Sequence, residues 1–280
     1  MSYPCIRAAR SFRAAAHLPF FIGGERLGWI GRDDLPLLAL WPEWFHCTDT
    51  RVDLAPALDS VEARSAALGQ VARTLAEGGR IAGWRDEIYA VRAAFDAPPA
   101  ALIERAAARF FGTLTFGVHA NGVVADEHSP HLWLGKRSAA KPIDPGKYDN
   151  LVGGGIGWGY SVVQTLVKEC WEESGVSTEQ AARARPGRSI WLLQEVPEGV
   201  QAEQLFVYDL ELPADFKPAN QDGEVSEHRL VSVGEALRLI AAQALTVDAS
   251  LVTLDWLLRS GRLQADAPEV AGFEALLRPL

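Results

Sequence analysis

Three glutamates are spaced so that their carboxylates could act together. Glu169, Glu172 and Glu173 stand at positions i, i+3 and i+4, the spacing that brings side chains together on a helix. Like charges at this spacing destabilise an isolated helix, so the cluster is either a solvated acidic face or a site for a cation. Hard cations such as Mg²⁺ take carboxylate oxygens as ligands and also bind substrate phosphates. The residue types by themselves leave both interpretations open.

A glycine-rich stretch comes directly before these glutamates. Residues 153–159 read GGGIGWG, and glycine lets the backbone approach a ligand closely. A loop that leads into a helix N-terminus is also suited to an anion. The loop and the carboxylates together favour a metal and phosphate site over a solvated face.

The local signals predict a helix over 162–174. Ser161 and Gln164 form a capping-box pair, and Gly175 stands where a C-cap glycine belongs. The glutamates should project from a face next to the buried one. At about 100° per residue, the face expected to be buried consists of Val163, Leu166, Val167 and Cys170.

The segment resembles the Nudix box, Gly-x5-Glu-x7-Arg-Glu-U-x-Glu-Glu-x-Gly-U, in which U is apolar. Nudix enzymes use a divalent metal to cleave diphosphates joined to another moiety. The resemblance implies that the three glutamates are catalytic metal ligands and that the carbonyl of Gly154 contributes to the metal site. The matching residues are Gly154, Glu169, Cys170, Glu172, Glu173, Gly175 and Val176.

Two positions depart from this box. Tyr160 replaces the first glutamate, which in the family supports the loop more than it holds the catalytic metal. Lys168 replaces arginine, so it keeps a cation for a carboxylate but loses the bidentate fork, and it remains a candidate catalytic residue. We expect activity to survive these changes. The alternative is a degenerate Nudix protein that binds a metabolite without turnover.

Segments along nearly the whole chain resemble one branch of the Nudix superfamily. In that branch a small N-terminal domain precedes the Nudix domain, and the same arrangement stands before thiamine pyrophosphokinase in some fungal fusion proteins. The resemblance implies an enzyme that converts oxidised thiamine diphosphates to the monophosphate and phosphate. A hydrolase of a nucleoside diphosphate linked to another moiety is the alternative. The similar segments are 83–91, 116–124, 132–155, 204–225 and 251–261.

Basic and aromatic residues are candidates for substrate binding. Arg137, Lys141 and Lys147 lie between a predicted strand and the glycine stretch, where they either clamp a diphosphate or remain solvated. Arg85 is a further candidate. Its neighbour Trp84 either stacks on an aromatic ring of the substrate or packs between domains.

Two later carboxylates could assist the reaction. Nudix enzymes often use one more glutamate, as a metal ligand or as the base that activates water, and Glu224 and Glu227 are candidates here. Glu224 is favoured because Gly223 permits a close approach, although an exposed acidic turn is the alternative. His119 is interpreted as a packed, hydrogen-bonded strand residue rather than a base.

The order of the predicted elements indicates the α/β (α+β) fold class. Residues 1–112 predict a small α+β domain, with a hairpin at 17–30 and helices at 59–79 and 98–112. Residues 113–280 predict strands followed by helices. By resemblance, this second part is a Nudix α/β/α sandwich around a mixed sheet.

The composition limits the partners. The 280 residues carry a net charge of −9, which argues against non-specific nucleic-acid binding, and no run of about 18 apolar residues indicates a membrane span. Three cysteines without a Cys-x-x-Cys pair fit a reducing compartment. We therefore expect a soluble, cytoplasmic protein. The resemblance to the Nudix family implies that it binds a small-molecule diphosphate and Mg²⁺, with Mn²⁺ as the alternative. The oligomeric state stays open.

Overall fold

The N-terminal part of the chain is an α+β unit. The computed structural model describes residues 2–125, 129–141 and 143–280. One four-stranded sheet has the order β2-β1-β4-β3, and β5 pairs with β6 in a separate hairpin. The elements are α1 (Pro4–Ala8), β1 (His17–Ile22), β2 (Glu25–Gly31), α2 (Leu35–Leu38), β3 (Phe45–Cys47), β4 (Val52–Leu54), α3 (Val61–Glu77), β5 (Ile88–Val91), β6 (Ala101–Glu104) and α4 (Ala108–Phe111).

Local signals predicted one hairpin and one helix of this unit correctly. The hairpin of β1 and β2 turns at Gly23 and Gly24, whose φ values of 61° and 85° lie in the left-handed region that glycine tolerates. The helix expected at 59–79 is confirmed as α3, and the side chain of its N-cap Ser60 accepts a hydrogen bond from the backbone N–H of Ala63.

The helix predicted over 98–112 was wrong. Residues Ala101–Glu104 form β6, and a 3₁₀ turn and the short α4 follow. β6 pairs antiparallel with β5, so that Tyr89 lies opposite Ile103. The alanines give this segment a helical propensity, but pairing with the preceding strand β5 outweighs it.

The second part of the chain is built on a mixed sheet. Within the described residues this sheet has seven strands in the order β11-β12-β7-β8-β13, with β10 beside β7 and β9 beside β8. β7 and β12 are parallel, and the other pairs are antiparallel. The elements are β7 (Leu114–Val124), β8 (His131–Arg137), β9 (Tyr148–Asn150), β10 (Val152–Gly155), α5 (Val162–Ser174), α6 (Thr178–Ala181), β11 (Arg185–Val196), β12 (Gly199–Leu212), β13 (Val225–Ser232), α7 (Val233–Ala241) and α8 (Val247–Arg259).

Helices cover both faces of this sheet. On one face, Leu166 and Cys170 of α5 pack in a core with Val118 of β7. On the other face, Val252 of α8 packs in a core with Leu205 of β12. The α/β/α sandwich around a mixed sheet is therefore confirmed, and it places the acidic helix directly against β7 and β10.

The two parts of the chain interlock. Ile6 of α1 is buried in the same core as α8. Arg80, which follows α3, donates to the carbonyl of Glu198 at 3.1 Å and to Asp34. The domain boundary after residue 112 stays a prediction. None of the helices in the described part of the chain has the length and apolar character of a membrane span.

Candidate active site

The glycine stretch begins as a strand rather than as the loop that the sequence suggested. Val152–Gly155 form β10, which pairs with β7 so that Gly153 lies opposite His119 and Gly154 opposite Val118. A Cβ atom on Gly154 would lie 2.4 Å from the carboxyl carbon of Glu169. A side chain at residue 154 would displace the carboxyl group of Glu169, which packs directly on the backbone of β10.

The acidic helix has the predicted bounds and caps. α5 spans Val162–Ser174, the capping box of Ser161 and Gln164 is formed, and Gly175 adopts a left-handed φ of 66°. The predicted buried face was partly wrong, because Val163 is 57% exposed whereas Glu173 is only 6% exposed. The helix is turned so that Glu173 faces the sheet, and helical periodicity alone does not fix that rotation.

Glu173 is held by the glycine strand. Its Oε2 accepts a hydrogen bond of 2.8 Å from the backbone N–H of Gly153. Burial raises the pKa of Glu173 well above its usual range, and the nearby charges of Asp149 and Glu169 raise it further. The carboxylates of Glu173, Asp149 and Glu169 therefore lie close together. The nearby Lys141 does not offset their combined negative charge.

Glu169 and Glu172 share one lysine. The Nζ atom of Lys168 lies 3.1 Å from Oε1 of Glu169 and 2.6 Å from Oε2 of Glu172. Burial raises the pKa of Glu169. Lys168 lowers this pKa, and the negative charges of Glu172 and Glu224 raise it further. Lys168 thus fills the cationic role expected of the arginine in the box, through single contacts to two carboxylates.

Glu224 lies at the same cluster, bound by two cations. Lys141 forms an ion pair with its Oε2, and Nη1 of Arg85 donates to its Oε1 at 2.9 Å. Burial would raise the pKa of Glu224, but the hydrogen bonds from Lys141 and Arg85 outweigh burial and lower it to about 2. A carboxylate this acidic is a poor proton acceptor, so this arrangement favours a ligand or positioning role over that of a base.

The other predicted site residues divide into two groups. Arg137 lies at the cluster, where its Nη1 donates to Asp149 at 3.0 Å and its other nitrogens bind the carbonyl of Ile143. Lys147 instead pairs with Asp144 at 2.7 Å. Glu227 is 3.8 Å from Lys136, with 52% of its side chain exposed. Neither Lys147 nor Glu227 contacts the acidic helix through the described hydrogen bonds and ion pairs.

Trp84 is partly buried and packs against the core of the N-terminal unit. Its Nε1 donates to Asp86 at 2.8 Å, and the guanidinium of Arg73 lies 5.3 Å from the centre of its ring. This position fits a tryptophan that packs within the protein better than one that stacks on an aromatic ring of the substrate. The neighbouring Arg85 is the residue of this segment that reaches the carboxylates.

Asp149 belongs to the site and was not identified from the sequence. Its side chain is 14% exposed and lies between Arg137 and His119, whose Nδ1 is 3.5 Å from Oδ1. His119 is 7% exposed and also contacts Oδ1 of Asn150 at 3.0 Å, as expected for a packed, hydrogen-bonded histidine. The only local signal for Asp149 was its position just before the glycine stretch, because its pairing depends on the contact between β8 and β9.

A second buried polar group lies on the α8 face of the sheet. Oδ1 of Asp248 is buried and has no hydrogen-bond partner among the described residues. Burial raises the pKa of Asp248 to about 7, Glu203 and Asp149 raise it, and His119 and Arg109 oppose them. Gln201 donates to both Asp248 and Glu203. A carboxylate kept in such surroundings is a candidate functional residue that sequence patterns did not reveal.

Two surface cavities lie elsewhere. One of about 480 Å³ is lined by Arg92, Trp29 and Phe206, and one of about 540 Å³ is lined by His46 and Arg64. Neither is lined by a glutamate of the acidic helix. The candidate active site is therefore defined by the ionisable side chains that lie together around Glu169, Glu173 and Glu224, and not by a cavity.

Two family models match the chain. Residues 2–115 match a domain of unknown function, DUF4743, and residues 115–251 match the NUDIX domain. Nudix hydrolase 24, chloroplastic, of Arabidopsis thaliana is 39% identical over 254 residues, which cover 90% of this chain and 70% of the relative. Nudix hydrolase 20, chloroplastic, of the same organism is 38% identical over 274 residues, covering 94% and 72%.

Solved structures are similar to part of the chain. The NUDIX domain of Shewanella oneidensis NrtR, in complex with ADP ribose, is 16% identical with a TM-score of 0.42, covering 55% of this chain and 91% of that domain. A MutT protein from Methanosarcina mazei Go1 is 22% identical with a TM-score of 0.40, covering 54% and 96%. On its identity to the two plant enzymes, and on the match to the NUDIX domain, the chain belongs to the Nudix hydrolase family and is a hydrolase.

Proposed function

We propose that this Nudix hydrolase is a Mg²⁺-dependent pyrophosphohydrolase that removes phosphate from an oxidised thiamine diphosphate and leaves the monophosphate. The observation that supports it is the packing of Glu169 and Glu173 on β10 beside Asp149. The pKa values of both glutamates are raised there, since burial and mutual repulsion disfavour their charged forms. A divalent cation would relieve this repulsion, and Nudix enzymes generally use Mg²⁺ or Mn²⁺.

The donor set suits a hard cation. Glu169, Glu172 and Glu173 supply carboxylate oxygens, and the resemblance to the Nudix box adds the backbone carbonyl of Gly154. Within the described residues, no three His, Cys, Asp or Glu side chains are grouped closely enough to hold a metal ion. Lys168 binds both Glu169 and Glu172. Binding would therefore require Lys168 to release these carboxylates. When bound, the cation would offset phosphate charge and activate a water molecule.

The chain's own cations are placed to hold the diphosphate. Lys141 and Arg85 both bind Glu224, and Arg137 binds Asp149. Guanidinium and ammonium groups bind phosphate oxygens through charge-assisted hydrogen bonds. Each of these groups is now paired with a carboxylate, so a bound phosphate would compete for the same donors. In the absence of substrate, Glu224 would hold Lys141 and Arg85 in place for the phosphate.

The choice of oxidised thiamine diphosphate rests on the resemblance of the whole chain to the thiamine-related branch. Oδ1 of Asp248, which is buried without a hydrogen-bond partner among the described residues, and the partly buried Glu203 beside it support recognition of a ring that carries hydrogen-bond donors, such as an aminopyrimidine, because carboxyl oxygens accept hydrogen bonds. A nucleoside diphosphate linked to another moiety is the competing substrate class. We also propose a reducing, cytoplasmic location, which suits three free cysteines.

Phosphate release from a panel of compounds tests this function. The panel contains oxothiamine diphosphate, thiamine diphosphate, ADP-ribose and a nucleoside triphosphate, each with excess Mg²⁺ or Mn²⁺. We expect the oxidised thiamine compound to turn over faster than thiamine diphosphate. Turnover of ADP-ribose or the triphosphate alone would reject the thiamine substrate. Binding without turnover at every metal concentration would favour the non-catalytic alternative.

A further inference from the structure

A cavity lies between the N-terminal unit and the mixed sheet. Its volume is about 480 Å³, within the range of about 300–1,000 Å³ that is typical of small-molecule sites. It is lined by residues of β2, of the segment 92–96 after β5, and of β11 and β12. Among the described residues that line it, none belongs to the acidic cluster of the candidate active site. Its chemistry therefore has to be derived from its own side chains.

The chain segment after β5 is fixed against the sheet. Just before it, Tyr89 of β5 packs on Gly155 of β10, where a Cβ atom would collide with the tyrosine hydroxyl. Phe95 packs edge-on against Phe116 and Phe206, with the ring centres 5.2 Å apart in both pairs. The cavity is therefore bounded by packed side chains and is formed before a ligand binds.

Aromatic side chains contribute much of the lining. The four aromatic residues are Trp29, Phe95, Trp191 and Phe206, which come from both parts of the chain. Aromatic rings bury large apolar areas and pack by offset stacking or edge-to-face contacts. A ligand that matches this lining therefore has an aromatic ring or a similar planar, apolar part.

Arg92 brings a positive charge to this cavity. Its Nε is buried and has no hydrogen-bond partner within the part of the chain that the structure describes. Its guanidinium lies 4.6 Å from the ring centre of Phe95 and 4.9 Å from that of Phe116. Burial lowers the pKa of Arg92, and the negative charge of Asp96 offsets this only in part. Arg92 remains partly exposed, so an anionic group in the cavity could bind its guanidinium.

The charges of the lining indicate how many negative charges the ligand carries. Arg26, at the exposed side, holds its guanidinium 4.7 Å from the ring centre of Trp29. The charged side chains among the described lining residues are Arg26, Arg92 and Asp96. Cations thus outnumber carboxylates here, although the protein as a whole has a net charge of −9. Two guanidinium groups beside one carboxylate suit a single anionic group better than a polyphosphate.

We propose that this cavity is a binding site for an aromatic organic monoanion, such as an aromatic carboxylate or sulfonate. The ring packs among the four aromatic side chains, and the anionic group binds Arg92. The site goes beyond the proposed function, because it requires neither a metal nor a diphosphate.

The test uses two probes of matched shape. Naphthalene-1-sulfonate is an anion, and naphthalene-1-sulfonamide is neutral at neutral pH. Their Kd values are measured by isothermal titration calorimetry, without metal, for full-length wild type, Arg92→Met and Arg92→Gln. Arg73→Met is the matched control: the guanidinium of Arg73 also lies over a ring, 5.3 Å from the centre of Trp84, but Arg73 does not line this cavity. Thermal unfolding shows which variants are folded.

We expect wild type to bind the sulfonate about 10-fold or more tightly than the sulfonamide, the usual effect of a hydrogen bond to a charged group. Arg92→Met and Arg92→Gln should bind the two probes with similar Kd values, because both remove the positive charge. Arg73→Met should keep the preference of wild type.

Two results would overturn the assignment. Equal Kd values for the two probes with wild type, or no binding of either, would show that the cavity does not select an aromatic anion. A preference for the sulfonate that persists in a folded Arg92 variant would show that the anion binds elsewhere. The first comparison needs no substitution, so it decides even where a variant fails to fold.

Discussion

Replacing Asp248 with asparagine should stabilise the protein at neutral pH. Burial is the main reason that the pKa of Asp248 rises from 3.8 to about 7, and Glu203 and Asp149 add to it against His119 and Arg109. A carboxyl whose folded-state pKa lies above its unfolded value makes folding less favourable once it ionises. This cost is absent below pH 3.8, grows between pH 3.8 and about 7, and is constant above that range.

The magnitude follows from the same shift. At about 1.4 kcal/mol for each tenfold change in the ionisation constant, a rise from 3.8 to about 7 corresponds to up to about 4 kcal/mol at pH 8. Asparagine keeps the shape of the protonated acid and cannot ionise. For a chain of this size, about 2 °C per kcal/mol gives an increase in Tm of up to roughly 8 °C.

The assay is thermal unfolding of wild type and Asp248→Asn between pH 4 and pH 8. The difference in Tm should be near zero at pH 4 and largest at pH 8. Asp255→Asn is the control: Asp255 is fully buried but accepts hydrogen bonds from Arg188 at 2.5 Å and Arg259 at 2.6 Å. Its replacement should destabilise the fold, by about 3–5 kcal/mol. A pH-independent difference, or a lower Tm for Asp248→Asn at pH 8, would refute the reasoning.

Three further substitutions test the acidic helix. Glu173→Gln should reduce kcat by at least about 100-fold with an unchanged circular dichroism spectrum, because a ligand charge is lost at nearly constant shape; unchanged kcat would remove the metal assignment. Lys168→Arg should preserve or raise kcat/KM, and a collapse would show that the site requires a compact ammonium group. Gly154→Ala should lower both activity and Tm, by about 1–3 kcal/mol in stability, since the new methyl group would meet the carboxyl of Glu169 at 2.4 Å; wild-type values in both assays would show that the contact is not required.

Local sequence signals predicted part of the fold well. Ser161, Gln164 and Gly175 delimit α5 because caps satisfy backbone groups within one turn of the helix end. Gly23 and Gly24 mark the first hairpin for a similarly local reason. The first half of the segment 98–112 was misread, because Ala101–Glu104 pair with the preceding strand β5 and the composition of the segment does not reveal that pairing.

The position of each site residue depended more on tertiary contacts. Glu224 reaches the cluster because Lys141 and Arg85 bind it from two other segments. Glu227, three residues later, points to Lys136 instead. Gly223 favoured Glu224 in the sequence, but only the contacts with Lys141 and Arg85 show where its side chain lies.

The sequence by itself determined the acidic helix, its caps and the spacing of its glutamates, because these depend on hydrogen bonds and periodicity within a few residues. Only the tertiary structure decided that Glu173 is buried, that Asp149 stands beside it, and that Tyr89 packs on Gly155. These outcomes depend on which strands pair and how α5 is rotated on the sheet. Burial and charge interactions over long sequence separations fix both, and they act only once the chain has folded.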